Sequence, residues 1–327
     1  MSIKIQLLQI LRENEDCFIS GAELAKRLSV SRTAVWKAVG QLRSEGYRIR
    51  SVQNKGHCLS SARDVLTAAG VEEYLKTPDI RVQYFREISS TNTVLKTMAA
   101  EGAKEGLVLI AEEQSGGKGR LGRSFYSPPG SGLYMSILLR PEKDAAHSTD
   151  ITACAAVAVA LAIEELSGEA AAIKWVNDIY MNQRKVCGIL TEASVDCESG
   201  RMNYAVVGIG INTLVPYNDF PLEPKTIAGS AFSGEKTIPD LRCRLAAAVI
   251  DRLMTYYRNP DEGNCFEEYK KRSFLLGKPI RIHKWDQEPI PATAVDLDRD
   301  YALIVRLEDG SQQRINSGEV SVRQADL

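Results

Sequence analysis

The stretch Ser115-Gly116-Gly117-Lys118-Gly119-Arg120-Leu121-Gly122-Arg123 threads three cationic side chains through four glycines, and it lies between two apolar runs at 107–111 and 133–139. Glycine accepts positive φ without steric cost and lets backbone N–H groups come close to a ligand, while Lys118, Arg120 and Arg123 neutralise phosphate or carboxylate oxygens. A nucleotide phosphate is the anion expected, and a solvated basic hairpin tip is the competing reading of the same charges. The letters 117–122 match G-x-G-x-x-G, yet that fingerprint binds dinucleotides only between a strand and a helix. Here Ser127-Pro128-Pro129-Gly130-Ser131-Gly132 and a second strand pattern follow, which excludes a Rossmann turn. No Gly-Lys-Ser/Thr closes the loop, so the Walker pattern fails as well.

The remaining body, 64–274, alternates helical and extended patterns and predicts an α/β (α+β) domain. Ser89-Ser90-Thr91-Asn92 is placed to start a helix over 93–100, either as a plain N-cap or as a cradle for a polar ligand head. Gln114 ends the strand that feeds the basic loop. About sixty residues further on, Ile173-Lys174-Trp175-Val176-Asn177-Asp178-Ile179-Tyr180 and Arg184-Lys185-Val186-Cys187-Gly188-Ile189-Leu190-Thr191-Glu192 predict a hairpin turning at Asn182-Gln183. Lys174, Asn177, Asp178 and Lys185 bring cations and a carboxylate together there; an exposed hairpin with solvated charges is the alternative. The strand pattern 205–212 carries Gly208 and Gly210, where a ligand can approach the backbone.

The head, 1–63, differs in charge. Residues 1–60 carry ten Lys/Arg against five Asp/Glu, leaving 31 against 37 in the rest of a chain of net charge −1. A basic head on an acidic body suits a polyanionic partner. A first amphipathic helix covers 3–11, and Ser20-Gly21-Ala22-Glu23 has capping-box spacing for a second. Ser31 caps a third, in which Val35, Val39 and Leu42 face the core and Arg32, Thr33 and Lys37 face outward, ending at Gly46. Trp36 is expected in the core, with no reading role. The alternating run 47–52, a turn at Asn54-Lys55-Gly56 and a return over 57–60 predict a β-hairpin wing. Helix-turn-helix plus basic wing is the winged-helix pattern of DNA binding, with Arg32, Thr33, Lys37 and Lys55 as the contacts; a head that packs only against protein is the other reading.

A length of 327 residues allows two or three domains with a substantial core. No apolar run reaches the length of a membrane span, and 151–163 is a buried alanine-rich helix by its length and its following Glu164-Glu165. The N-terminus lacks a signal-peptide pattern, so the expected location is the cytoplasm, with no membrane partner. Seven cysteines without a C-x-x-C pair and three scattered histidines signal no metal site and predict free, mostly buried thiols. Five short strand patterns over 275–327 predict a small β-barrel.

Taken together, the winged helix, Ser90-Thr91-Asn92, Gln114, the basic glycine loop, Lys-Trp-x-Asn-Asp, Lys185-x-x-Gly188-Ile189-Leu190 and Gly208-Ile209-Gly210-Ile211-Asn212 resemble the bifunctional bacterial biotin protein ligases that are also biotin-operon repressors. That resemblance covers nearly the whole chain. It implies a winged helix, a mixed-sheet ligase domain and an SH3-like end domain. It also implies an ATP- and Mg²⁺-dependent enzyme that makes biotinyl-5'-AMP, transfers biotin to a lysine of a biotin carboxyl carrier protein, and binds operator DNA as a homodimer with biotinyl-5'-AMP as corepressor. Ser90, Thr91, Asn92, Gln114, Lys118, Gly119, Arg120 and Lys185 would then contact biotin. Arg123, Lys118 and Asn212 would contact the nucleotide, Tyr217 or Phe220 would cover adenine, and Lys185, Arg120 and Asp178 would serve the chemistry. The chain departs from the family where Lys118 and Leu121 replace arginine and where Val176 replaces proline; lysine keeps the charge but not the bidentate fork. A lipoate ligase on a related fold and a ligand-sensing repressor without catalysis are the alternative functions.

Overall fold

The computed structural model describes the chain apart from residues 1–2, 15–16, 45–46, 48, 53–54, 60–63, 142–147, 197, 217–219, 222–227, 233–237, 260–263, 284–287, 317–318 and 323–327, and apart from the side chains of 44, 50 and 319–322. It divides into two units, Met1–Tyr74 with Thr237–Arg244, and Leu75–Lys236 with Leu245–Leu327.

In the first unit, α1 (Ile3–Arg12), α2 (Gly21–Arg27) and α3 (Arg32–Ser44) precede a hairpin of β1 (Ile49–Val52) and β2 (Gly56–Leu59), then α4 (Ala68–Tyr74). Ser20 Oγ accepts from the Glu23 amide and Ser31 Oγ from the Ala34 amide, both at 3.1 Å, so the hydroxyls satisfy amides that the first turns of α2 and α3 leave free. Leu7, Leu11, Leu24, Val35, Val39, Leu42, Tyr47 and Leu59 form one core. Val35, Val39 and Leu42 therefore face inward, and Arg32, Thr33, Lys37 and Lys55 are exposed. Trp36 corrects the expectation: it is 69 % exposed. With core positions at 35, 38, 39 and 42, residue 36 points outward beside Thr33, Lys37 and Gly40, which follows from the 3.6-residue period. The expected helix stop at Gly46 and the turn residue Asn54 lie outside the described residues.

Gly56 anchors the wing. Ile19 and His57 exchange backbone hydrogen bonds of 2.9 and 2.8 Å, and Gly56 has φ +104° with the Ile19 carbonyl oxygen only 2.0 Å from where a Cβ would stand. Within the same unit Arg12 pairs with Glu73 at 2.8 Å and Asp240 at 3.2 Å, and Arg242 pairs with Asp64 at 2.8 Å.

The second unit is built on a seven-stranded sheet ordered β3 (Arg81–Ile88), β4 (Leu107–Gln114), β5 (Gly132–Leu139), β9 (Met202–Asn212), β8 (Arg184–Val195), β7 (Asp178–Met181), β6 (Ala172–Lys174). Only β3 and β4 run parallel, joined by α5 (Thr91–Ala100), which is the right length for a crossover. Because side chains alternate across a strand, Leu109, Leu138 and Val206 meet Leu95 and Ala99 of α5 on one face. Thr191 points to the other face, where its hydroxyl accepts from Thr152 of α6 (Ser148–Ser167) at 2.8 Å. That helix is buried over most of its length, as its apolar composition predicts. Asn182 and Gln183 both adopt positive φ, the type I′ geometry that matches strand twist in the β7–β8 hairpin. Helices α7 (Leu241–Arg258, divided between the units) and α8 (Cys265–Arg272) follow. An antiparallel sheet of β10 (Pro279–His283), β11 (Ile290–Leu297), β12 (Leu303–Leu307), β13 (Gln312–Ile315) and β14 (Glu319–Val322) closes the chain. Cys58, Cys187, Cys243 and Cys265 are buried thiols and Cys17 is exposed.

Replacing Gly56 by alanine should cost roughly 2–3 kcal/mol and strip hydrogen-exchange protection from the Ile19 and His57 amides. Unchanged protection of those two amides would show that the wing tolerates a side chain there.

Candidate functional site

A cavity of about 840 Å³ opens on the α5 face of the large sheet, a size suited to a ligand with two joined parts. Apart from the aromatics named for adenine, every residue singled out from sequence for ligand binding or chemistry lines it: Ser90, Thr91, Asn92, Gln114, Lys118, Gly119, Arg120, Arg123, Asp178, Lys185 and Asn212. Of the two aromatics named for adenine, Phe220 lines the cavity, and Tyr217 lies outside the described residues.

The basic loop is a tight hairpin with a 3₁₀ turn at Arg120–Gly122. Phe125 N donates to Gly117 O at 2.9 Å and Gly119 N to Arg123 O at 2.7 Å. Leu121, one departure from the family loop, is 62 % exposed at φ +56°. Arg120 is held inward: its guanidinium donates to Asn177 Oδ1 at 2.8 Å. Asn177 Nδ2 donates to Asp178 Oδ1 at 3.0 Å and Ile189 O at 3.0 Å, and Asp178 Oδ1 pairs with Lys185 Nζ at 2.7 Å. Arg120, Asn177, Asp178 and Lys185 are thus one connected cluster carrying two cations and one carboxylate. Its surplus positive charge can hold an anion. Trp175 Nε1 donates to Tyr301 O at 2.8 Å and Tyr269 OH to Val176 O at 3.1 Å, which fixes the strand connection leading into this cluster.

At the other end of the cavity the N-terminus of α5 is capped by Ser90, whose Oγ accepts from the Thr93 amide at 3.4 Å. Thr91 N donates to Gln114 Oε1 at 2.9 Å, with Thr91 Oγ1 at 3.2 Å from the same atom. Gln114 Nε2 donates to Ser127 Oγ at 2.9 Å. Asn92 is almost wholly occupied by protein: Nδ2 donates to Leu190 O at 3.1 Å and Glu192 Oε2 at 2.9 Å, and Oδ1 lies 2.6 Å from Ser136 Oγ. Lys96 Nζ pairs with Glu192 Oε1 at 2.5 Å. Burial pushes the Glu192 carboxyl up, but hydrogen bonds from Lys96 and Asn92 outweigh it and hold the group below the ordinary 4.5.

Two glycines make this packing possible. A Cβ at Gly208 would stand 2.1 Å from Asn92 Oδ1, and one at Gly210 would stand 2.6 Å from the Phe125 ring. Gly188 and Gly210 sit opposite each other on β8 and β9. Sequence analysis missed Ser136, Glu192, Lys96 and Phe125 as members of the site. Ser136 had one visible signal: it is the lone serine, and the only small hydroxyl side chain, within the apolar strand 133–139. The others belong to no short motif and depend on strand register.

A DNA-binding head pattern, a mixed sheet bearing a cavity with a surplus of cations, and a small β domain define a ligase that also binds DNA. Residues 84–212 match the Biotin/lipoate A/B protein ligase family, residues 4–57 an HTH domain, and 275–323 the Biotin protein ligase C terminal domain. The chain is 38 % identical over 239 residues to the bifunctional ligase/repressor BirA of Bacillus subtilis, covering 72 % of this chain and 73 % of that one. It is 28 % identical over 328 residues to the protein of the same description from Escherichia coli, covering 99 % and 98 %. Among solved structures it superposes on the biotin protein ligase from Aquifex aeolicus in complex with biotin and ATP with a TM-score of 0.59 at 25 % identity, covering 74 % of this chain and 98 % of that one. The chain belongs to the bifunctional biotin protein ligase and repressor family.

Two outcomes follow from this packing. Gly208→Ala should destabilise the protein by about 1–3 kcal/mol, measured by chemical denaturation; a change within error would mean that Asn92 moves aside freely. Because the folded carboxyl of Glu192 titrates below its unfolded value, its contribution to stability is complete above about pH 4.5 and is lost as pH falls through the lower folded value. A carboxyl-carbon NMR titration should give a Glu192 midpoint below 4.5, and a midpoint at or above it would contradict the assignment.

Proposed function

We propose that this chain joins biotin to ATP as biotinyl-5'-AMP and passes the biotin to a lysine of a biotin carboxyl carrier protein. The convergence of Arg120, Lys118, Arg123 and Lys185 with Thr91 and Gln114 on one cavity carries the reading. Attack of a carboxylate on the α-phosphorus brings two anions together, and fixed cations reduce their repulsion and stabilise the charge that develops as pyrophosphate leaves. Lys185, at the junction of the two ligand halves, holds the carboxylate and α-phosphate; Lys118 and Arg123 hold the remaining phosphate oxygens. Ser90, Thr91, Asn92, Gln114 and Gly119 surround the biotin ring, with Asn92 acting through its neighbours, and Asn212 and Phe220 lie toward the nucleoside. In the second step the amine of the acceptor lysine attacks the mixed-anhydride carbonyl, AMP leaves, and Asp178 orients the amine and takes up its proton.

Magnesium fits as a companion of ATP. Among the described residues Asp178 is the one carboxylate lining the cavity, and no cluster of three or more metal-ligating side chains occurs. Mg²⁺ characteristically binds through substrate phosphates with one or two carboxylates, so it would arrive on the nucleotide and lower the phosphate charge. The basic head would bind operator DNA through Arg32, Thr33, Lys37 and Lys55, as a homodimer when biotinyl-5'-AMP is held, in the cytoplasm. No helix among the described residues is long and apolar enough to cross a membrane.

Incubation with ATP, Mg²⁺ and either biotin or lipoate, followed by pyrophosphate release, tests the reaction directly: release with biotin alone is expected, and release with lipoate alone or with neither acid refutes it. Lys185→Ala should cut biotin-dependent release by about a hundredfold or more, on the scale of removing one charge-stabilising donor. Arg120→Gly should still make the adenylate but lose it to solvent; retention equal to wild type would leave the loop without a sealing role.

A further inference from the structure

Two cysteines that the ligase chemistry does not use lie against each other. Cys154 on α6 and Cys265, the first residue of α8, are 111 residues apart in sequence, yet their sulfurs stand 3.0 Å apart with a hydrogen between them. Both are thiols, Cys154 half-buried and Cys265 4 % exposed, so the pair is not sealed in the core. Tyr301, in the turn between β11 and β12, completes the group with a hydroxyl that hydrogen-bonds the thiols. These surroundings split the pair. A hydrogen bond from Cys154, joined by one from Tyr301, outweighs burial and holds the Cys265 thiol below the ordinary 9.0, while the same pairing and burial raise Cys154 well above it. The position at a helix N-terminus favours the Cys265 thiolate further. Buried Cys187 and Cys243 show the opposite: burial pushes both thiols up, Cys243 to about 12. An ionisable sulfur with a second thiol in contact is the arrangement in which oxidation ends in a disulfide rather than in higher oxides.

We infer that Cys154 and Cys265 form an oxidation site, at which a hydroperoxide converts the two thiols into a disulfide tying α6 to α8, and that closing it slows the reaction at the ligase cluster. The Cys265 thiolate attacks the terminal oxygen of the hydroperoxide, the O–O bond breaks, and the other oxygen leaves as an alcohol, or as water from hydrogen peroxide, after taking up a proton. Cys265 is then a sulfenic acid. The Cys154 sulfur attacks the Cys265 sulfur, the S–O bond breaks, and hydroxide leaves as water with the proton from Cys154. The two thiols give up two electrons and one hydroperoxide is reduced to alcohol and water. Aromatic side chains link this site to the cavity. Tyr269, one turn along α8, packs on Tyr301 with ring centroids 5.3 Å apart and donates to Val176 O at 3.1 Å, and Tyr301 O accepts from Trp175 Nε1 at 2.8 Å. Asn177 follows directly and joins Arg120 to Asp178. Bond formation closes the sulfurs from 3.0 Å to about 2.05 Å. That draws the start of α8 toward α6 and removes both S–H groups from beside Tyr301.

The test uses the full-length chain, reduced, freed of reductant and then treated with hydrogen peroxide. Linked peptides are mapped by mass spectrometry without reduction, and biotin-dependent pyrophosphate release is timed on the same samples. The rate rests on the proposed ligase reaction, whereas the mapping does not. A peptide pair joined through Cys154 and Cys265 is expected, and dithiothreitol should separate it. In Cys154→Ser, which lacks the second thiol, dimedone should trap a sulfenic acid on Cys265, and Cys265→Ser should give neither product. Oxidised wild type should release pyrophosphate at least about fivefold more slowly, within the roughly hundredfold that an ångström of misplacement can cost. Dithiothreitol should restore the rate, and Cys265→Ser should keep its rate through the same treatment. If either variant does not fold, the mapping and the rate of wild type decide. Absence of the 154–265 link in a sample whose exposed Cys17 has been oxidised overturns the site. A link that leaves the rate within about twofold of its reduced value, or a loss of rate that persists in Cys265→Ser, overturns the coupling to the cluster. Reduced wild type that releases no pyrophosphate with biotin overturns the ligase reading instead, and the mapping still decides the dithiol.

Discussion

Backbone lying directly against side chains is the constraint on which the ligase unit depends. Glycines at 208 and 210 let Asn92 and Phe125 rest on β9 at distances that any side chain there would close, and Gly117 does the same beneath the Phe125 carbonyl. A sheet covered by ordinary side chains would keep α5 and the 115–127 segment several ångströms farther away. The cavity would then be a shallow surface groove, in which charges are screened by water and hydrogen bonds compete with it. Apolar strands 107–111 and 133–139 supply the rigid layer beneath, so residues that line the cavity sit on regular elements rather than on loops alone.

Charge and polarity are separated along this floor. One end carries Arg120 and Lys185 tied through Asn177 and Asp178, a cluster whose members fix each other's positions without cancelling their net positive charge. The other end is neutral at its surface and holds its one negative group, Glu192, behind Asn92 and against Lys96. A ligand with an uncharged polar ring and an anionic tail meets complementary surroundings at both ends.

Much of this was legible in the chain before any coordinates. The glycine-basic loop, the capped start of α5 and the hairpin at Asn182-Gln183 each follow from local rules that act within a few residues, and the capping serines at 20 and 31 accept as their spacing requires. Trp36 was misjudged because composition favours burying tryptophan, while its phase relative to Val35, Val39 and Leu42 places it outside; periodicity was the better guide. Ser136 and Glu192 were overlooked for a different reason. Their partners are forty-five or a hundred residues away, and pairings of that kind depend on β5, β9 and β8 lying side by side. Sequence shows that such strands exist without showing which neighbours they choose.

The two described tryptophans differ in a way that optical methods can exploit. Trp36 stands in water on the helix proposed to read DNA, whereas Trp175 is buried beside the ligand cavity with its indole N–H bonded to Tyr301. Trp285 lies outside the described residues. A solvated indole emits at longer wavelength and is readily quenched by iodide, and an enclosed one emits toward the blue and is shielded. The chain therefore carries its own pair of fluorescent reporters, one for each of its two activities, and occupancy of DNA and of small ligand can be followed in a single cuvette without any attached dye.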